Sequence, residues 1–458
     1  MSLLINGKMC SRLFFAGILG SGMSALAQYA RWMGCAVSGS DRLIGTADSA
    51  RTEKILRQIG CEISPQDGTG VTTGVDALVV STAIEESNPD IQAARASNVA
   101  IVHRSDLLAA FASTKTTVAV AGTSGKSTVT AMIFELFCAC GKKPSLISGA
   151  AIKRLEGQGN IGNAWFDSGE VLVIEADESD GSIVKYHDTI SLILNISKDH
   201  KSEEEVLAMF TTLSEQSRYV IINADDGQLA GVPHSHTFGV VSTRADCKPD
   251  SLSFGAKIQL QYSGVDFSLA LPGRHNASNL MAALCVCNYL GCDLSLAKTA
   301  VASYQGVARR FDVTKTARGV TVIDDYAHNP EKVKAAIEAA HGMGKRLFAV
   351  FQPHGYGPLR FFKNELIEAF AQSLKETDQL FVLPIYYAGG TAQKDISSGD
   401  VVDGLKSAKF KSFAPVSKEE MVEMVLKEVK GGDCVMVMGA RDPGLPGLVR
   451  EICERLKI

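Results

Sequence analysis

A strand, a seven-residue loop and a helix follow one another without a gap near residue 120, and this succession constrains the fold more than any other stretch. The loop reads Gly122-Thr123-Ser124-Gly125-Lys126-Ser127-Thr128, between the apolar run VAVA (118–121) and the helix-forming run TVTAMIFELFCACG (128–141). Successive backbone N–H groups and the first turn of the helix make a pocket for phosphate oxygens. The lysine ammonium adds a point charge, and the hydroxyl that follows can ligate magnesium. The longer G-x-x-x-x-G-K-[ST] form needs glycine where Val120 stands, so this is the contracted variant. A plain glycine turn is the alternative, but it does not account for a lysine and a hydroxyl directly after Gly125.

The same alternation of strand, turn and helix extends to both sides. The buried run RLFFA (12–16) leads into Gly17, Gly20 and Gly22 and then a helical stretch, and a second strand, CAVSGSD, ends on Asp41. DALVVST (76–82) and VAIVH (99–103) continue the pattern until the short polar segment STKTT (113–117). After the loop, VLVIEAD (171–177), ISLILNI (190–196) and YVIINAD (219–225) are apolar enough to be fully buried parallel strands. From about 250 to 272 the residues alternate as antiparallel hairpins do (KIQLQYSGVDFSLAL) and precede the helix HNASNLMAALCVCNYL; VTVIDDY, RLFAVFQP, QLFVLPIY and CVMVMGA are expected as strands of a further α/β unit starting near 308. The expectation is an α/β chain of three domains: Rossmann-like over 1–113, a central P-loop domain with a mostly parallel sheet over 114–307, and Rossmann-like over 308–458.

Composition narrows the chemistry. Of 458 residues 46% are hydrophobic and 21% charged, with a formal net charge of -4, so there is no strongly basic surface for nucleic acid and the partners are expected to be small molecules. No leader pattern and no apolar window of about 20 residues stands out, which leads to the expectation of a cytoplasmic protein with no membrane partner. The eleven cysteines include no CxxC pair; Cys138 with Cys140, and Cys285 with Cys287, read as apolar helix positions rather than metal ligands.

Residues Glu175, Asp177, Glu178 and Asp180 gather four carboxylates after a buried strand, where like charges repel unless a cation joins them. Asp199 and His200 follow the next long apolar strand. Ligands of an open doubly wound sheet bind outside the carboxyl ends of its strands, so Glu175 and His200 are expected at the ends of adjacent strands, sharing a magnesium site. A solvated acidic turn and a hydrogen-bonded structural histidine are the alternatives.

With these residues in place, the chain resembles the Mur ligase family, the ATP-dependent amino-acid-adding enzymes of peptidoglycan synthesis, and most closely its alanine-adding branch. Ten motifs carry the resemblance in order: GILGSGMS (17–24), SGSD (38–41), GTSGKST (122–128), EADESDGS (175–182), NISKDH (195–200), GRHNASN (273–279), ARRFDV (308–313), DDYAHNP (324–330), FQPHGY (351–356) and LPIYYAG (383–389). The resemblance implies a first domain for a UDP-sugar, a central ATPase domain and a last domain for the incoming amino acid. It implies that UDP-N-acetylmuramate and L-alanine are joined through an acyl phosphate, with ATP and Mg2+ required, by a monomer or homodimer.

The residue roles come from the same source. Lys126 would hold the β- and γ-phosphates, Ser127 and Glu175 one magnesium ion, and Glu175 with His200 would lie near a second. His275, Asn276 and Asn279 match the adenine motif. Arg310 falls in the motif between the central and last domains, and Asp325 matches an aspartate near the ribose. Gly17, Gly20, Gly22 and Asp41 fall where the family binds the UDP-sugar. Lys126, Glu175 and His200 are thus the catalytic candidates.

Three departures bear on the amine. Ser124 stands where the alanine-adding branch usually carries histidine, Gly355 and Pro358 stand where it carries arginines, and DHKSEEE replaces the usual continuation after Asp-His. A free amino acid is therefore expected to bind weakly unless Arg360 or Lys363 turns into the site. Three rival readings are a nicotinamide oxidoreductase built on the N-terminal glycine turn, a P-loop nucleotide switch, and a sister ligase attaching a recycled murein peptide to the same UDP-sugar. The spacing of GILGSG is irregular for the first, and the switch needs no acyl acceptor site.

Overall fold

The run RLFFA buries every residue after Arg12, and such a run has no solvated face to alternate with; it becomes the central strand of a parallel sheet. In the computed structural model, which describes residues 2–179, 181–197, 201–255, 257–387 and 393–457, the first sheet has five described strands. Their order is Glu62–Pro65, Ala36–Asp41, Arg12–Ala16, Ala77–Val80 and Ala100–His103, all parallel. This is the doubly wound arrangement, with the strand order reversing beside Arg12–Ala16. A hairpin of Leu3–Ile5 and Lys8–Cys10 precedes it, closed by Asn6-Gly7 with φ of 48° and 80°, the dihedrals that an Asn-Gly turn supplies at low cost. The Asp76 carboxylate accepts from the backbone N–H groups of Ser11 and Arg12 at 2.8 and 2.9 Å and so fixes where the hairpin joins the sheet.

The second sheet has seven described strands, in the order Ala164–Trp165, Ser145–Ile147, Val171–Glu175, Thr116–Ala121, Ile190–Ile193, Tyr219–Asn223, His236–Phe238. All neighbours are parallel except the edge pair Ala164–Trp165 and Ser145–Ile147. One sequence expectation is corrected here. Val171–Glu175 and Ile190–Ile193 are not adjacent, because Thr116–Ala121 lies between them and pairs with both. Helical crossovers let a chain skip a position, so succession in sequence does not give succession in the sheet. An antiparallel three-stranded meander (Ser251–Phe254, Ile258–Tyr262, Val265–Leu269) follows, then the helix Arg274–Tyr289.

These two parallel sheets share a core. One continuous buried cluster includes Phe15, Tyr29 and Phe111 from the first and Ile174, Tyr186 and Phe210 from the second. Tyr29 meets Phe111 at 4.8 Å and Phe166 at 5.4 Å between ring centroids, and Gln28 donates to Asn163 Oδ1 at 2.8 Å across the seam. Accordingly Met1–Val307 is one compact unit. The other face of the second sheet has its own core, with Phe134 and Phe137 from the helix after the loop against Met281 and Leu284.

Ala308–Ile458 is the other compact unit. Its described strands run Asp312–Lys315, Thr321–Asp325, Cys434–Met438, Leu347–Phe351, Gln379–Val382, Lys411–Phe413, parallel except for the first. The three central strands are buried throughout apart from Asp325 at its end, and separate apolar cores cover the two faces. Helix Pro330–Ala340 starts where Asn329 accepts from Lys332 N and proline takes the first helical position, whose N–H has no partner in a helix anyway. Among the described residues no helix is long and apolar enough to cross a membrane.

Candidate functional site

Because Thr116–Ala121 is central in its sheet, the loop after it opens between the ends of two flanking strands, and side chains from both sides close around it. Gly122 has φ 137° and Gly125 φ 85°, conformations that L side chains rarely adopt. A Cβ at Gly122 would come within 3.0 Å of Leu194, and one at Gly125 within 2.8 Å of Asn279 Oδ1. Asn195 braces the loop: its Oδ1 accepts from Ser124 N at 2.9 Å and Thr123 Oγ1 at 3.0 Å, and its Nδ2 donates to Ser124 O at 3.0 Å. Thr123 also meets the Ser197 hydroxyl at 2.9 Å. The Thr128 carbonyl accepts from Tyr304 Oη at 3.3 Å. These bonds fix the loop's conformation at the start of helix Lys126–Ala139, where a helix N-terminus favours an anion.

Lys126 donates to Gly122 O and to Glu178 Oε2, both at 2.7 Å, and lies 3.7 Å from Asp177 Oδ1. Burial works against its ammonium, but Glu178, Asp177 and Glu175 outweigh it and hold the pKa above the ordinary lysine value. Lys126 therefore stays charged at every physiological pH. Ser127 donates to Glu175 Oε1 at 2.9 Å, while Glu175 Oε2 accepts from Gly149 N at 2.8 Å and Ser148 Oγ at 3.3 Å. A hydroxyl and a fixed carboxylate beside a phosphate loop make an all-oxygen donor set, which suits a hard divalent cation such as magnesium.

Helix Arg274–Tyr289 carries the next candidates and brings Asn279 to the loop. Asn279 reaches Gly125, Asn276 donates to Pro272 O at 2.6 Å, and exposed His275 folds back over Gly273. On the first sheet, Gly17 has φ 78° and the Asp41 carboxylate spans the turn, accepting from Leu19 N and Leu43 N, each at 2.9 Å. Gly20 caps the helix Ser21–Trp32 that follows, and Gly22 lies in its first turn.

A residue that the sequence reading passed over joins the two regions. Arg104, the first residue of helix Arg104–Ala112, lies where a Cβ on Gly22 would be 3.0 Å from its Nη1, and its Nη2 is 4.0 Å from Asp177 Oδ2. The signal was the HRSD sequence closing the strand Ala100–His103, a basic residue at a carboxyl end. His200, with Asp199 and Asp180, lies outside the described residues, so the shared site with Glu175 has no geometry here.

In Ala308–Ile458, Arg309 donates to Gly439 O at 2.6 Å and Ala440 O at 3.2 Å, and Arg310 stacks over Tyr326 at 4.6 Å. Asp325 accepts from Phe311 N at 2.7 Å and Ala327 N at 2.8 Å. The DDYAHNP and FQPHGY motifs meet: His328 packs edge-on against Tyr326 and His354, with ring centroids 5.6 and 5.0 Å apart. Arg360 is engaged with Gln393 O and the Asp395 carboxylate. Gly355 has φ 140°, and a Cβ there would be 3.3 Å from Pro358 Cδ.

Three family models match in succession: Mur ligase family, catalytic domain, over residues 13–116; Mur ligase middle domain over 120–287; and Mur ligase, glutamate ligase domain, over 309–441. The chain is similar to the UDP-N-acetylmuramate--L-alanine ligases of Synechococcus sp. (strain RCC307), 32% identical with 93% of each chain covered, and of Agrobacterium fabrum, 33% identical with 94% of each covered. Among solved structures, a UDP-N-acetylmuramate-alanine ligase from Thermotoga maritima superposes with a TM-score of 0.79 at 26% identity, covering 97% of this chain and 98% of its own. A murein peptide ligase from Psychrobacter arcticus shares the fold, with a TM-score of 0.72 at 18% identity over 98% and 99% of the two chains. With its phosphate loop, its strand-end carboxylates and this similarity over nearly its whole length, the chain belongs to the Mur ligase family.

Proposed function

We propose that the chain joins L-alanine to UDP-N-acetylmuramate in the cytoplasmic synthesis of peptidoglycan precursors, with ATP converted to ADP and phosphate. The observation that carries the chemistry is the pairing of Ser127 with Glu175 directly beside Lys126 on the phosphate loop. The amine and the UDP-sugar rest on similarity to the alanine-adding relatives. The eleven cysteines, all free thiols, fit a reducing compartment.

In this reading the loop N–H groups and Lys126 bind the triphosphate, with Lys126 exchanging the Glu178 carboxylate for phosphate oxygens. Ser127 and Glu175 would hold magnesium, which would supply positive charge to the phosphate oxygens. The γ-phosphoryl passes to the muramate carboxylate, the amine attacks the resulting acyl phosphate, and the tetrahedral species expels phosphate to leave the amide. The protein's part is to position the groups and stabilise charge. Gly17, Gly20, Gly22 and Asp41 are assigned to the UDP-sugar, Asn276, Asn279 and His275 to the adenine, and Arg310 and Asp325 to the nucleotide.

The test is phosphate release with UDP-N-acetylmuramate and either L-alanine or the tripeptide L-Ala-γ-D-Glu-meso-diaminopimelate. Release that needs the UDP-sugar and L-alanine together supports the proposal. A strong preference for the tripeptide moves the chain to the peptide-attaching branch, and release needing neither acceptor makes it a nucleotide switch.

A further inference from the structure

Away from the phosphate loop, three side chains with soft donor atoms converge on the other end of the central sheet. His236 opens the edge strand His236–Phe238, Cys247 follows in the segment that bridges back to Phe238, and Cys285 lies on the helix Arg274–Tyr289. One ligand atom from each lies within 4.8 Å of the other two. The Cys247 Sγ to His236 Nε2 distance is 3.4 Å. Tetrahedral zinc with bonds of ~2.3 Å to sulfur and ~2.05 Å to nitrogen sets such an edge at about 3.5 Å, so the pair already has the right span. Both cysteines are buried, at 4% and 1% exposure, whereas His236 is partly open to solvent.

The surroundings are those of a ligand set. His236 Nδ1 faces Asp246 Oδ2 at 3.7 Å, the carboxylate–imidazole relation that orients a metal-binding histidine. Asp246 is itself held by Thr237 N at 2.9 Å and Thr237 Oγ1 at 2.7 Å. Tyr262 Oη lies 3.1 Å from Cys247 Sγ and accepts from Asn288 Nδ2 at 3.2 Å.

We propose that His236, Cys247 and Cys285 form a binding site for a soft divalent cation of the zinc class, with the fourth position left to water or the Tyr262 hydroxyl. The site ties the edge strand to the helix whose first turns carry Asn276 and Asn279. Cys285 is six residues beyond Asn279, about 9 Å along the helix axis. The metal is therefore a structural tie, distinct from the magnesium that serves the phosphates. The cation binds both cysteines as thiolates, so binding displaces thiol protons to solvent.

The experiment uses the full chain, reduced and dialysed free of metal, titrated with Zn2+ and separately with Co2+. One zinc per chain and a tetrahedral cobalt spectrum with thiolate charge-transfer bands are expected, together with a zinc-dependent rise in the thermal midpoint. Cys285→Ser should abolish the charge-transfer intensity contributed by its thiolate. His236→Gln, at a partly exposed position, tests the site should Cys285→Ser fail to fold. Asp246→Asn should weaken zinc binding about tenfold to a hundredfold. A second thiol group, Cys140 with Cys287 and Cys292, is the control, and the Cys140→Ser/Cys292→Ser variant should keep the full signal. A wild-type chain without cobalt bands overturns the proposal. So does a signal unchanged in His236→Gln and Cys285→Ser, or one lost in the control.

Discussion

Replacing Lys126 by methionine separates its ion pair with Glu178 from the phosphate contact proposed for it. In the described structure it sits 2.7 Å from Glu178 and 3.7 Å from Asp177, with side-chain exposures of 13% for Lys126 and 7% for Glu178. Removing one partner of a pair this buried leaves an uncompensated carboxylate, at a cost of about 3–5 kcal/mol of stability. On the proposed function the same substitution removes the donor to the phosphoryl oxygens, an expected loss of about 10²- to 10³-fold in turnover. Lys126→Met/Glu178→Gln removes the orphaned charge as well, so stability should recover by most of the lost amount while turnover stays low. Urea unfolding gives the first quantity, and coupled detection of ADP with UDP-N-acetylmuramate and L-alanine gives the second. A folded Lys126→Met enzyme retaining more than about a tenth of wild-type turnover would refute the phosphate role, and a double variant no more stable than the single would refute the account of the pair.

Three further outcomes are expected. Asp76 is held at about 2 by the Ser11 and Arg12 hydrogen bonds acting against burial, below its ordinary 3.8. A depressed carboxyl stabilises above the unfolded value and loses that contribution as pH falls towards about 2; the lowering corresponds to about 2 kcal/mol. Asp76→Asn should therefore cost about that much by urea unfolding at pH 7 and about half at pH 3, and an equal cost at both would show that the charge is not the cause. Gly125→Ala puts a Cβ 2.8 Å from Asn279 Oδ1 at φ 85°, so it should cost about 1–2 kcal/mol of stability and raise the Michaelis constant for ATP. For the amine, Pro358→Arg is the cleaner probe, because arginine at Gly355 would add strain at φ 140°. It should lower the Michaelis constant for L-alanine about tenfold or more, through one charge-assisted contact; a low wild-type constant unmoved by the arginine would show that the missing charge is supplied elsewhere.

Long apolar runs were legible in the sequence because a buried parallel strand admits no polar alternation: RLFFA, VLVIE and CVMVM each formed the strand expected of them. The phosphate loop was legible for a similar reason, since its glycines, lysine and hydroxyl have few other uses at a helix start. Strand neighbours were not legible. The positions of Val171–Glu175 and Ile190–Ile193 on either side of Thr116–Ala121 depend on crossovers rather than on local pattern. Short edge strands such as Glu62–Pro65 and Lys411–Phe413 carry too few residues to show a period. Arg104 escaped notice because its relation to Gly22 and Asp177 is made only in space. The cysteine reading was incomplete in the same way: Cys285 is the buried helix position it appeared to be, yet its neighbours His236 and Cys247 lie 49 and 38 residues earlier in the chain.

The core shared by the first two sheets has a consequence for how the chain melts and how it can be cut. Tyr29, backed by Phe111, packs on Phe166, and Gln28 bonds Asn163, so a fragment ending near residue 113 would present that surface to water. Such a fragment should be prone to aggregate, whereas residues 308–458, with two apolar cores of their own, meet the packing requirement for an autonomous piece. Scanning calorimetry should accordingly resolve at most two cooperative transitions, one for residues 1–307 and one for the remainder, instead of one per sheet.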